Sequence, residues 1–146
     1  MANTNSENPR IGREFQDLVQ SIVEKRYCIP FEQEATIPIG KPPKKHKYDL
    51  ASIDRSIVVE CKCYTWTESG NVPSAKLMGL DEAVFYFGFL PPKTRKILCM
   101  KKAIFPGKDE TLADYYVRVH GHLLGDVYVY EITDDLQIRE IRNGNN

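Results

Sequence analysis

Asp49, Glu60 and Lys62 are charged residues set inside two segments that otherwise read as β-strands, KYDLASI and SIVVECKCY. A hairpin that turns between Asp54 and Arg55 places Asp49 directly against Glu60, with their Cβ atoms about 4.5–5.5 Å apart on one face of the sheet, where like charges destabilise the pair. Lys62, two residues beyond Glu60, returns to that face and offsets the repulsion. Ile57, Val59, Cys61 and Cys63 point the other way, into an expected core. Two carboxylates and an ammonium gathered like this suit a hard divalent cation, which takes one or two protein carboxylates together with substrate phosphate oxygens. The lysine is then placed to orient or deprotonate a water and to counter charge on a phosphate. The chemistry is phosphodiester hydrolysis. A plainer role also fits, with Asp49 paired to Lys62 or Lys47 as a surface salt bridge of little energy, although Val58 and Tyr64 argue against a fully solvated face.

The elements that must hold these residues can be read along the chain. Asn8 and Pro9 open a helix over about residues 9–27, with Ile11, Phe15, Leu18, Val19, Ile22 and Val23 on one face. EATIPI, residues 34–39, is an outer strand because Pro38 cannot donate to a ladder. The hairpin strands 47–53 and 56–64 follow, then the polar loop TWTESGN. Pro73 starts a second helix with Leu77, Leu80, Val84 and Phe87 along one side, ending near Gly88. ILCM at 97–100 reads as a strand covered on both faces. Thr111 caps a third helix with Leu112, Tyr116, Val119 and Leu123 inward and Gly125 at its end, and VYVYEIT, 127–133, is a last strand. Short turns favour antiparallel neighbours and helical connections favour parallel ones. The expected class is therefore α/β, three layers, a central mixed five-stranded sheet flanked by helices in the order α-β-β-β-α-β-α-β. A chain of 146 residues with 42% hydrophobic residues makes one domain, with flexible ends at 1–8 and 143–146.

In that order of elements, Asp49, ten intervening residues and Glu60-Cys61-Lys62 resemble the PD-(D/E)xK nuclease superfamily, whose fold is restriction-endonuclease-like. The resemblance implies that Asp49 and Glu60 bind Mg2+ (or Mn2+) and that Lys62 serves the attacking water. It also implies a helix glutamate assisting the metal, a position matched by Glu14 at the border of the apolar stripe; an exposed first-turn acid favoured by the helix dipole fits Glu14 equally. Tyr48 stands where the family often has proline. The activity implied is that of an endonuclease in restriction, repair, recombination or a mobile element, with DNA as the expected substrate and a homodimer or a subunit of a larger complex as the assembly. A catalytically inactive nucleic-acid-binding or scaffolding domain of the same fold is the alternative.

Charge and composition bound the partners. The 20 basic and 20 acidic residues cancel, so attraction to a polyanion must come from local patches. KPPKKHK supplies Lys44, Lys45 and Lys47 just before Asp49, and Lys93, Arg95, Lys96, Lys101 and Lys102 form a second run; both also suit plain solvated surface. Lys76, in the first turn of the second helix, suits either a phosphate contact or solvent. Trp66 suits either stacking on a base or closing a core edge. Four cysteines, no secretory segment and no apolar run of about 20 residues predict reduced thiols, no membrane and a cytoplasmic setting. Cys61 and Cys63 lack zinc-site spacing, and no phosphate loop or nucleophile elbow occurs.

Overall fold

A computed structural model describes residues 8–145 of the chain. Helix α1 spans Asn8–Tyr27, strands β1, β2 and β3 span Phe31–Ile39, Lys44–Ser52 and Ile57–Lys62, and helix α2 spans Ser74–Phe87. Strand β4 (Arg95–Lys101), helix α3 (Leu112–His120) and strands β5 (Tyr128–Ile132) and β6 (Ile138–Arg142) complete the order. All the strands lie in one mixed sheet in chain order. Neighbours β1–β2, β2–β3 and β5–β6 are antiparallel, whereas β3–β4 and β4–β5, joined through α2 and α3, are parallel.

The sheet carries a core on each face. Phe15, Val19 and Val23 of α1 are buried against Leu50, Ile57, Val59, Ile97 and Cys99. Leu77, Leu80 and Phe87 of α2 and Leu112 and Tyr116 of α3 cover the other face, over Tyr48, Val58, Leu98 and Met100. Each such side chain contributes about 1.5–3 kcal/mol by leaving water. The three layers expected from the sequence are present, and no described helix is long and apolar enough to cross a membrane.

Several expectations need correction. The sheet has six strands instead of five, because Ile138–Arg142 pairs with β5. IREIR hides this strand: its charges look like a solvated tail, but Arg139 reaches the carboxylates of buried Glu131 and of Asp114, and Arg142 donates to the carbonyls of Val127 and Gly125. Charged side chains on an outer strand also deter edge pairing. Helix α3 stops at His120 and passes into a 3-10 turn, Gly121–Leu123, so Gly125 is not its end; Val119 and Leu123 are exposed, and Leu124 is buried instead. In the tail expected to be flexible, Gly144 is buried where an added Cβ would strike the Asp126 carbonyl oxygen and Tyr128, Asn143 is half-buried and Asn145 is exposed. Of the expected flexible segments 1–8 and 143–146, residues 1–7 and 146 lie outside the described residues, and Asn8 is the first residue of α1. Lys96 is buried in an ion pair with Asp126 at 2.7 Å, Lys102 pairs with Asp134, and Arg95 lies over the Tyr128 ring. That second basic run therefore spends three of its charges on internal contacts.

The β1–β2 ladder has an interruption that bears on the site. It runs from Phe31 opposite Ser52 to Ile39 opposite Lys44 but skips the level of Glu34 and Asp49. Glu34 has φ = 54°, a left-handed value that costs a non-glycine residue roughly 1–2 kcal/mol. Faces swap across this point: Tyr48 belongs to the core under α2 and α3, and Leu50, two residues on, to the core under α1. Simple alternation fails at Asp49, as it does where irregular strand pairing re-aims a side chain. Glu34→Gly is expected to hold or raise stability by up to about 1 kcal/mol, and Glu34→Val to lower it by about 1 kcal/mol or more. Urea denaturation of both variants checks this, and equal effects would exclude backbone strain at Glu34.

Candidate functional site

Strands β2 and β3 pair only at Leu50–Val59 and Ala51–Val58, in the register read from the sequence, and then part. The next level holds Asp49 and Glu60, and there side chains replace the ladder. The Asp49 backbone N–H donates to Glu60 Oε1 at 3.2 Å, and the Cys61 N–H donates to Asp49 Oδ2 at 2.8 Å. Each acid thus satisfies an amide that the separating strands would leave without a partner, a loss of about 1–3 kcal/mol if buried. Fixed at both ends, the two carboxylates stand side by side.

Glu60 is only 9% exposed. Burial first, and then the charge of Asp49 and a hydrogen bond to its carboxylate, push the Glu60 carboxyl up to about 8, against the opposing pull of Lys62. Such a pair holds a proton near neutrality that a cation can replace. Tyr48, buried beside Glu60, is pushed up to about 12, mainly by burial and then by the Glu60 charge, and its hydroxyl donates to the Tyr86 carbonyl at 2.9 Å. Cys61 lies on the α1 face, its thiol held well above its usual range by burial. It offers no metal-binding thiolate.

Glu60 and Lys62 open into a cleft of about 340 Å³ between the sheet and α2, with Lys47, His46, Tyr86 and Glu82 around it. Gly79 admits the Tyr64 hydroxyl so closely that an added Cβ would lie 2.8 Å from it. His46 stacks on Tyr86 at 3.8 Å with an interplanar angle of 12°, and burial lowers its imidazole below the usual value despite the nearby charge of Glu82. A second cleft shares Lys62 and Tyr64 and is bordered by Lys76 and Lys101.

The structure therefore brings together Asp49, Glu60 and Lys62, with Lys47 and Lys76 at the margins. Lys44 and Lys45 are exposed at the start of β2. Glu14 is not brought to the pair: it is exposed, joined to Arg10 at 2.9 Å, and borders a separate pocket with Leu18, Thr133 and Asp134. α1 packs on the opposite core of the sheet, and Glu14 lies beyond the first turn of that helix, so the helix dipole does not account for it either; its carboxylate pairs with Arg10. Trp66 is buried and donates to the Ala103 carbonyl at 3.0 Å, closing a core edge and leaving no ring face free for a base. Glu82 and Tyr86 were not legible as site residues; their one signal was an acid and a phenol one helical turn apart.

Among the described residues no group of three or more His, Cys, Asp or Glu is placed to hold a metal ion, so the donor set is the Asp49–Glu60 pair. Two oxygen donors suit magnesium or manganese completed by water and phosphate, and do not suit a closed zinc site. No family model matches this chain, and no match is found among curated proteins or solved structures.

The raised Glu60 carboxyl sets a pH dependence. The folded chain keeps a proton that the unfolded chain releases near 4.5, so the stabilisation is complete below that value and is lost as pH rises through about 8. Without metal, stability is expected to fall across roughly pH 5 to 8, by at most about 1.4 kcal/mol per pH unit from this group. Glu60→Gln should flatten the decline. Denaturation in EDTA across that range checks it; parallel curves for the two proteins would exclude the raised carboxyl.

Proposed function

We propose that this protein is a divalent-metal-dependent nuclease of the restriction-endonuclease-like kind, hydrolysing phosphodiester bonds, with DNA as the substrate. The observation that carries the reading is the interlocked Asp49–Glu60 pair at the fork of β2 and β3, with Lys62 beside it in an open cleft. Asp49 and Glu60 would hold Mg2+ or Mn2+, which when bound supplies charge to polarise a phosphate oxygen and to activate water. The protein's own part is positional. The two backbone amides fix the carboxylates, the burial of Glu60 weakens screening of its field, and Lys62, at the end of β3, lines the cleft in which an attacking water and a phosphate would meet. Lys47 and Lys76 at the margins suit flanking phosphates.

Asp49→Asn and Lys62→Ala are each expected to lower metal-dependent cleavage on the order of 10²-fold or more, whereas Glu14→Ala leaves it within about twofold. Excess Mn2+ should raise the melting temperature of the parent chain and not that of Asp49→Asn, since a ligand of the folded state stabilises it. Gel assays on single-stranded, duplex and branched DNA and on RNA, with and without metal, check the activity. Binding of nucleic acid without turnover of any substrate would replace the enzyme with an inactive binding domain of the same fold.

A further inference from the structure

Helix α2 carries large apolar side chains on both sides. Its inner residues Leu77, Leu80, Ala83 and Phe87 are buried, and Met78, Phe85 and the following Phe89 are 70%, 63% and 47% exposed. Ser74, Lys76 and Glu82 are also exposed on this helix, so its outer side is mixed, but large apolar side chains grouped at the surface mark an interaction site. The exposed rings are continuous with the cleft. His46 lies 4.7 Å from buried Tyr48 and stacks on Tyr86, the Tyr86 ring is 5.6 Å from Phe85, and Phe85 is 5.3 Å from Phe89. An aromatic lane therefore leads from the wall of the cleft beside Glu60 to the outer surface. Lys44, Lys45 and Lys47 are exposed on the strand that carries His46, Lys47 in a surface ion pair with Glu34 at 3.3 Å.

Resting on the nuclease reading, we infer that this lane is a stacking platform for the bases of an unpaired strand, so that the preferred substrate has a single-stranded segment entering the cleft. Exposed rings beside a row of cations are what an unpaired polynucleotide needs, because bases stack on the aromatic faces and phosphates track the positive groups. In a duplex the faces of the bases are occupied by their neighbours, so rings on a protein surface gain nothing from them unless bases are splayed out. A second copy of this chain fits less well. A two-fold contact centred on the stripe would bring Glu82, between Met78 and Phe85, close to its own counterpart and oppose like charges. Glu82 also disfavours a phosphate at the lane itself, which leaves the rings to the bases and the β2 lysines to the backbone.

The test is fluorescence anisotropy in EDTA, where no metal-dependent cleavage occurs, using a labelled oligothymidylate of about 20 nucleotides and a duplex of the same length. The parent chain should bind the single strand more tightly. Phe85→Ala with Phe89→Ala, both exposed and therefore not needed by the core, should weaken single-strand binding about tenfold or more and change duplex binding less than about twofold; Phe85→Trp should retain it. Equal affinity of the parent for both probes, or equal loss on both, overturns the platform. So does a halving of the solution mass in the double variant with unchanged oligothymidylate binding, which assigns the stripe to self-association. Tight single-strand binding without cleavage in magnesium would sink the nuclease reading and leave the platform standing; cleavage confined to duplex, with no single-strand binding, would do the reverse.

Discussion

Everything at the centre of this molecule depends on an exchange at the point where two strands separate. A ladder that ends inside a protein leaves amides without partners, and buried amides must find them. Here the partners are the Asp49 and Glu60 carboxylates, each taking an N–H at the same fork. Glu60 lines the cleft beside the fork and Asp49 is bonded behind it, so the device that ends the pairing also gathers two carboxyl groups where the sheet opens. Burial, and after it the repulsion between the acids, raises the Glu60 carboxyl. A hard cation or a proton can relieve that repulsion.

The rest of the architecture maintains that tension. The α1 core and the α2–α3 core clamp β3 from both faces, so Glu60 cannot swing toward solvent without disturbing Val58 and Val59, which are fully buried. On the other side of Asp49, the left-handed Glu34 and the swap of faces between Tyr48 and Leu50 turn β2 out of simple alternation. Such irregular backbone persists only when surrounding packing over-determines it. Tyr48 contributes to that packing from the α2 side through its bond to the Tyr86 carbonyl. The same α2 helix then carries Gly79, Glu82 and Tyr86 to the cleft, so one element both covers the core and shapes the site.

The register of the central hairpin was legible in the sequence because a two-way turn at Asp54 and Arg55 and the apolar alternation of Ile57, Val59 and Cys61 admit only one pairing. Periodic helices and the Thr111 cap, with its reciprocal bonds to Asp114, were legible for the same reason: local pattern and local hydrogen bonding agree. Strand β6 was not. Its residues become a strand because Arg139 finds Glu131 and Asp114, partners 8 and 25 residues away, and no local period reports that. The second basic run misled in the same way, since Lys96 looks solvated until Asp126, 30 residues on, closes over it.

By itself, then, the sequence determined the α/β class, the order of its first eight helices and strands, and the facing of Asp49 and Glu60, because these follow from side-chain period and turn chemistry over a few residues. Only the tertiary structure decided that Glu14 stands apart from the pair, that Trp66 is sealed in the core, and that His46, Glu82 and Tyr86 share a cleft with Lys62. Those outcomes depend on which face of the sheet each helix covers and on where two strands part. That is fixed by packing between residues far apart in the chain, after the local periods have been satisfied.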